Sequence, residues 1–226
     1  MGGHDRPKWA VTWAWNTHRH VTLFHSPHTR STGVLTLLEE LGADYELHVL
    51  NMKKGEQRQA AYLAINPMGK VPAILHNGAL VTEQVAVYLY LADLYADKGI
   101  TPQIGDPLRG AFLRWLAFYG SCFEPAFVDK AMKREAGAAS MTPYGTLDDV
   151  WNAVTGQLAK GTYMLGDTFT AVDVLWGTAL NWMTMFGLAP ETPVVRAYID
   201  RIKARPAVAR AGKIDADLIE KQTSAT

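Results

Sequence analysis

Cysteine is nearly absent from this chain, and the absence is informative. The single thiol, Cys122, allows no intrachain disulfide framework and no C-x-x-C pair. That fits a reducing, cytoplasmic compartment and removes dithiol redox chemistry from consideration. Charge of one sign is also missing: Lys+Arg 22 against Asp+Glu 22 leaves a net charge of zero. Nucleic-acid binding needs a basic surface that displaces counterions, so no nucleic-acid partner is expected. No apolar run is long enough to cross a bilayer, and residues 1–20 lack the continuous apolar core of a secretory signal, so a soluble protein without a membrane partner is expected. Internal repeats and low-complexity tracts are lacking too. What remains is a chain of 226 residues, 48% hydrophobic, long enough for one large domain or two small ones.

The most informative stretch present is Asn66-Pro67-Met68-Gly69-Lys70-Val71-Pro72-Ala73-Ile74-Leu75, followed by Leu80-Val81-Thr82-Glu83-Gln84. It reads as a loop, a proline at the entrance to a strand, a turn at Asn77-Gly78, a second strand, and a helix opening on a carboxylate and an amide. Pro72 lacks a backbone N–H and is tolerated at the first residue of a strand. An X-Pro bond there is also where a cis peptide costs least, about 0.5–1 kcal/mol. A cis bond would turn the N–H and C=O of Val71 outward, where an extended peptide pairs with them as an added strand.

The rest of the chain frames this stretch. Residues 1–20 carry Trp9, Trp13 and Trp15 without periodicity and read as an irregular extension; His18 and His20 lack a third ligand, so no metal is expected. Residues 21–25 alternate as a strand. Residues 29–42 place Val34, Leu35, Leu37, Leu38 and Leu41 at helical spacing and end on a glycine cap. Residues 45–50 read as a second strand, parallel to the first across a helical crossover, and the later hairpin as antiparallel. Gly99, Pro102, Gly105 and Pro107 mark a linker over residues 99–107. Beyond it strand signals nearly vanish. Helices are expected over residues 108–133, bent at Pro125, then 144–160, 170–187, 193–204 and from Pro206 onward. Thr170-Ala171-Val172-Asp173 fits a capping box, which makes Asp173 a folding residue.

This order, βαβα then ββα, followed by helices alone, resembles an α/β thioredoxin-like N-terminal domain (residues 21–98) joined to an all-α C-terminal domain (residues 108–226). With the Asn66-to-Pro72 segment and the Glu83-Gln84 helix start, residues 21–205 resemble a cytosolic glutathione transferase. The resemblance implies a homodimer, with glutathione as co-substrate and a hydrophobic small-molecule electrophile as partner. It implies that Lys70, Val71, Pro72, Glu83 and Gln84 bind glutathione, with Gln84 standing where the family keeps a serine. It also implies that the electrophile lies against the helix carrying Trp115, Phe118 and Tyr119. Peroxidase or isomerase chemistry on the same site, or a non-catalytic binding and scaffold role, are the alternatives.

A free thiol has a pKa near 8.5, and lowering it by about two units takes roughly 2.7 kcal/mol of preferential thiolate stabilisation. One hydroxyl donating to a charged acceptor supplies about 1.5–3 kcal/mol and a helix N-terminus about 0.3–1 kcal/mol. One well-placed hydroxyl is therefore nearly enough. Ser26-Pro27-His28-Thr29-Arg30-Ser31 offers three at the start of the first helix. By resemblance to serine-type, theta- and zeta-like members, Ser26 is the first choice as donor, with Arg30 as nearby positive charge. Thr29 and Ser31 compete with it, and helix capping is an alternative duty for Ser26 and Thr29. His25 and His28 read as structural histidines and Cys122 as a small hydrophobe.

Overall fold

The computed structural model describes residues 18–224; the three N-terminal tryptophans lie outside that range. Strand β1 (Val21–His25) occupies the interior of a four-stranded sheet ordered β2-β1-β3-β4, with β2 (Tyr45–Val49), β3 (Ala73–His76) and β4 (Ala79–Val81). β1 runs parallel to β2, and β3–β4 is an antiparallel hairpin, as the crossover and hairpin logic predicts; β1 also pairs antiparallel with β3. Asn77 and Gly78 both take positive φ in the hairpin turn, which the Asn-Gly pair tolerates. Leu50, expected in the second strand, lies just beyond its end.

Helix α1 (Ser31–Leu41) buries Val34, Leu35, Leu37, Leu38 and Leu41 and ends on Gly42 at φ 58°. It begins two residues later than expected, because Thr29 belongs to the preceding turn. Helix α2 (Ala60–Leu63) leads to the Asn66 loop, and α3 (Gln84–Leu94) packs beside α1. Gly33 allows that approach: a Cβ there would lie 2.7 Å from the Tyr88 hydroxyl.

The single helix expected over residues 108–133 is three pieces. α4 (Arg109–Phe118) passes through a π-helical turn (Tyr119–Phe123) into α5 (Glu124–Ala131). Pro125 has no N–H to give, and the Glu124 N–H closes the wider ring onto the Tyr119 carbonyl. α6 (Leu147–Leu158) starts later than residue 144 because Thr146 and Asp149 form a capping box that the sequence reading overlooked. α7 (Ala171–Met185), α8 (Pro193–Lys203) and α9 (Pro206–Ser224) complete the chain.

Trp176 of α7, fully buried, is surrounded by Trp115, Phe118, Tyr119 and Phe123. Edge-to-face and stacked pairs of this kind add about 0.5–1.5 kcal/mol each beyond their burial. Asp173 receives the Met164 N–H (2.8 Å), the Thr170 N–H (2.8 Å) and the Tyr198 hydroxyl (2.9 Å), so the expected box becomes the anchor of the helical domain.

The two halves are clasped through α1. Arg205 pairs with Glu40 and Arg210 with Glu39, bringing α9 against the N-terminal domain. Among the described residues no helix is long and apolar enough to cross a membrane.

Candidate active site

The turn between β1 and α1 is held from behind. His28 takes φ 56°, uncommon for a residue with a Cβ, and its N–H donates to Asp215 Oδ2 (3.1 Å) on α9. Thr32 Oγ1 donates to the same oxygen (2.6 Å), and His25 Nε2 lies 2.8 Å from Asp215 Oδ1. Burial raises the Asp215 carboxyl, but the hydrogen bonds from His25, Thr32 and the His28 N–H outweigh it. The group therefore lies below the ordinary carboxylate range.

The three candidate hydroxyls of this turn are not equivalent. Ser31 is fully buried; its Oγ lies 2.8 Å from His25 Nδ1 and 2.8 Å from Thr29 Oγ1, and it accepts the Ser26 N–H (3.1 Å). Ser26, the first choice from the sequence, is 4% exposed and sits in the wall behind Thr29. Thr29, with Arg30 beside it, lines an apolar cavity that Ser26 and Ser31 do not reach. Its hydroxyl donates to the Ser26 carbonyl (2.7 Å) and accepts the Ser31 N–H (3.2 Å).

A polar cavity of about 310 Å³ runs along the second expected stretch. Lys70, Val71, Pro72, Glu83 and Gln84 all line it, so the structure gathers the whole set named from the sequence. The Val71–Pro72 bond is cis. Among the described residues neither the N–H nor the C=O of Val71 has a hydrogen-bond partner. Tyr62 Oη (2.7 Å) and Asn66 Nδ2 (2.9 Å) both donate to the Lys70 carbonyl and fix the loop just before it. Glu83, exposed at φ 65°, is held in the left-handed region immediately ahead of α3. Gln84 is held from two sides. Its Nε2 donates to the Arg30 carbonyl (3.4 Å) and its Oε1 accepts the Tyr119 hydroxyl (3.2 Å), so it braces one domain against the other.

A second cavity, about 310 Å³ and mainly apolar, opens on the other side of Arg30, Gln84 and Glu124, which line both. Arg30 and Glu124 form an ion pair across the domain boundary. Burial lowers the Arg30 guanidinium while Glu124 raises it, and the raising wins. The aromatic stripe expected here is only partly present. Trp115 and Phe118 pack into the core around Trp176, and Tyr119 alone reaches the cavity. Burial pushes the Tyr119 phenol up, with Glu124 adding to it, so it remains a protonated donor occupied by Gln84.

The apolar wall comes instead from Phe127 and Val128 of α5 and Trp182, Met183 and Phe186 at the end of α7. Sequence reasoning did not single these out as site residues. The available signal was the run Trp182-Met183-Thr184-Met185-Phe186, more apolar than an exposed helix end requires; Met185 and Phe186 are 64% and 61% exposed.

Comparison with known proteins agrees with this geometry. The family models described as "Glutathione S-transferase, N-terminal domain" and "Glutathione S-transferase, C-terminal domain" match residues 19–93 and 124–206. Glutathione S-transferase PARB of Nicotiana tabacum is 31% identical over 79% of this chain and 90% of its own. A glutathione transferase crystal structure from Methylococcus capsulatus superposes with TM-score 0.74 at 30% identity, covering 87% of this chain and 98% of that one. A sphingomonad glutathione S-transferase solved with glutathione gives TM-score 0.73 at 31% identity over 86% and 98%. With both domain models matched in order on a thioredoxin-like sheet and a helical bundle, the chain belongs to the glutathione S-transferase family.

Proposed function

We propose that the polar cavity takes glutathione, that Thr29 donates its hydroxyl to the sulfur, and that the thiolate attacks an apolar electrophile seated in the second cavity. The observation that carries this reading is the shared wall. A peptide extended along Val71 in one cavity delivers its thiol past Arg30 to Thr29, at the edge of the other. The unpaired Val71 backbone offers one donor and one acceptor, the pairing a cysteinyl residue uses when it adds as a strand. Glu83 supplies a carboxylate for the ammonium end, and the N-terminus of α3 supplies N–H groups for the adjoining carboxylate. Lys70, exposed at the rim, is positioned for the other carboxylate.

Thr29 is favoured over Ser26 and Ser31 because it borders the apolar cavity while they are buried behind it. The positive end of α1 and the Arg30 guanidinium add favourable potential at the same point. Phe127, Trp182 and Phe186 favour a flat, apolar acceptor. Two further features belong to this reading. The exposed Leu75 and Leu80, with a shallow groove along Val81, Leu89 and Tyr90, suit a homodimer with a second copy covering them. The lone cysteine suits a cytoplasmic enzyme.

Titration with glutathione, paired with conjugation of an activated aryl halide, tests the proposal. The expected result is micromolar to millimolar affinity, weakened about tenfold in Glu83→Gln, with product formation. No binding at any accessible concentration overturns it. Binding without conjugation of any apolar electrophile returns the chain to a scaffold role.

A further inference from the structure

Behind Thr29 runs a continuous row of proton-bearing groups that thiolate stabilisation by itself does not require. Thr29 Oγ1 lies 2.8 Å from Ser31 Oγ, which lies 2.8 Å from His25 Nδ1, whose other nitrogen lies 2.8 Å from Asp215 Oδ1. His25 and Ser31 are fully buried and Asp215 is 2% exposed, so water does not interrupt the row. Thr29, at its outer end, lines the apolar cavity, and the other three do not.

The directions along the row follow from its inner end. Asp215 Oδ2 already accepts the Thr32 hydroxyl and the His28 N–H, as an ionised carboxylate does. Asp215 Oδ1 then accepts from His25 Nε2, and in that tautomer Nδ1 is the ring nitrogen that faces the Ser31 hydroxyl (2.8 Å). Ser31 Oγ accepts the Ser26 N–H (3.1 Å) and also faces Thr29, whose single proton has two acceptors in reach, the Ser26 carbonyl (2.7 Å) and Ser31 Oγ (2.8 Å). A proton arriving at Thr29 therefore has a path inward once the Thr29 hydroxyl turns from the Ser26 carbonyl to Ser31 Oγ.

We propose that Thr29, Ser31 and His25 form a relay that removes the thiol proton of bound glutathione and stores it on His25 against Asp215. The S–H bond breaks and its electron pair stays on sulfur. Thr29 Oγ1 receives that proton and passes its own to Ser31 Oγ, and Ser31 passes its own to His25 Nδ1, where one N–H bond forms. The end state has a Thr29 O–H directed at the thiolate and an imidazolium beside a carboxylate. No proton leaves the protein. His25 and Asp215 are positioning residues acting through the two hydroxyls.

The neighbours leave His25 this duty. Asp215 is the charged group hydrogen-bonded to it; α1 contributes uncharged Ser31 and Thr32, and β2 sets Val49 opposite it. On α9, Lys213 and Asp217 are exposed.

The inference rests on the assignment of Thr29 as thiolate donor, and the experiment separates the two. Thiolate absorbance and protons released to an indicator dye are counted together as glutathione binds, between about pH 6 and pH 9. The wild type is expected to form thiolate below the free thiol's range while releasing far less than one proton per thiolate. His25→Gln keeps a donor toward Asp215 but stores no proton, and its release should rise to about one per thiolate formed. Wild-type release of one proton per thiolate overturns the relay, whether or not any variant folds. Undiminished thiolate in Thr29→Val overturns the donor assignment itself.

Discussion

The two buried carboxylates of the helical half, Asp173 and Asp215, make an instructive pair. Asp173 is fully buried and accepts from Met164, Thr170 and Tyr198; Asp215 is 2% exposed and accepts from His25, His28 and Thr32. Their protonation is biased in opposite directions. Burial raises Asp173 and its hydrogen bonds do not overcome it, whereas those of Asp215, one from an imidazole, do. A carboxylate locked among neutral donors of its own domain is a folding element. One joined to an imidazole and to the turn that carries Thr29 couples a distant helix to the site.

The largest expected effect belongs to Asp173. Asp173→Ala takes the acceptor from the Met164 and Thr170 N–H groups and the Thr170 hydroxyl, leaves the Tyr198 phenol only the residue-173 carbonyl at 3.5 Å, and should cost about 3–5 kcal/mol in urea unfolding. Glutathione binding to the folded fraction should be unchanged; if thiolate formation falls instead, the contrast drawn between the two carboxylates is wrong. Asp215→Asn should cost less, about 1–3 kcal/mol. It should also raise the bound-thiol pKa, because an amide can donate to His25 Nε2 and turn Nδ1 into a donor.

Acid unfolding sharpens the same comparison. The folded Asp173 carboxyl lies above its unfolded value, so its contribution is complete below about pH 3.9 and is lost as pH rises through the folded value. Asp215 lies below its unfolded value, so its contribution is present above about pH 3.9 and is lost as pH falls through the folded value. Relative to wild type, Asp173→Asn should therefore recover stability as pH rises from the acid limb, and Asp215→Asn should lose it. Equal slopes in urea midpoints for the two variants would refute the assignment.

The smallest effect is expected just past the other end of α7. Phe186, at the mouth of the apolar cavity, should contribute about 1 kcal/mol or less to acceptor binding. Phe186→Ala should raise the electrophile KM a few-fold with glutathione affinity intact.

The same pair explains what the sequence made legible. Asp173 is three residues from its cap partner, so Thr170-Ala171-Val172-Asp173 announces its structural duty. The hairpin, Pro72 and the Glu83 helix start are likewise local features, and the polar cavity followed from them. Asp215 stands 190 residues from His25, and periodicity carries no record of that distance. His25, at a strand end, reads as structural from the sequence, and its carboxylate partner comes from the other domain. Ser26 and Thr29 look alike in sequence, and only the buried turn separates them. Trp115 and Phe118 share the helical stripe of Tyr119, yet the π-helical turn and Trp176 draw them into the core.

The absorbance of bound thiolate against pH, in wild type and Thr29→Val, tests the central claim most directly. A bound-thiol pKa below about 7 in wild type, rising toward the free value near 8.5 in Thr29→Val but not in Ser26→Ala, is the predicted result. An unchanged pKa in Thr29→Val would contradict the account.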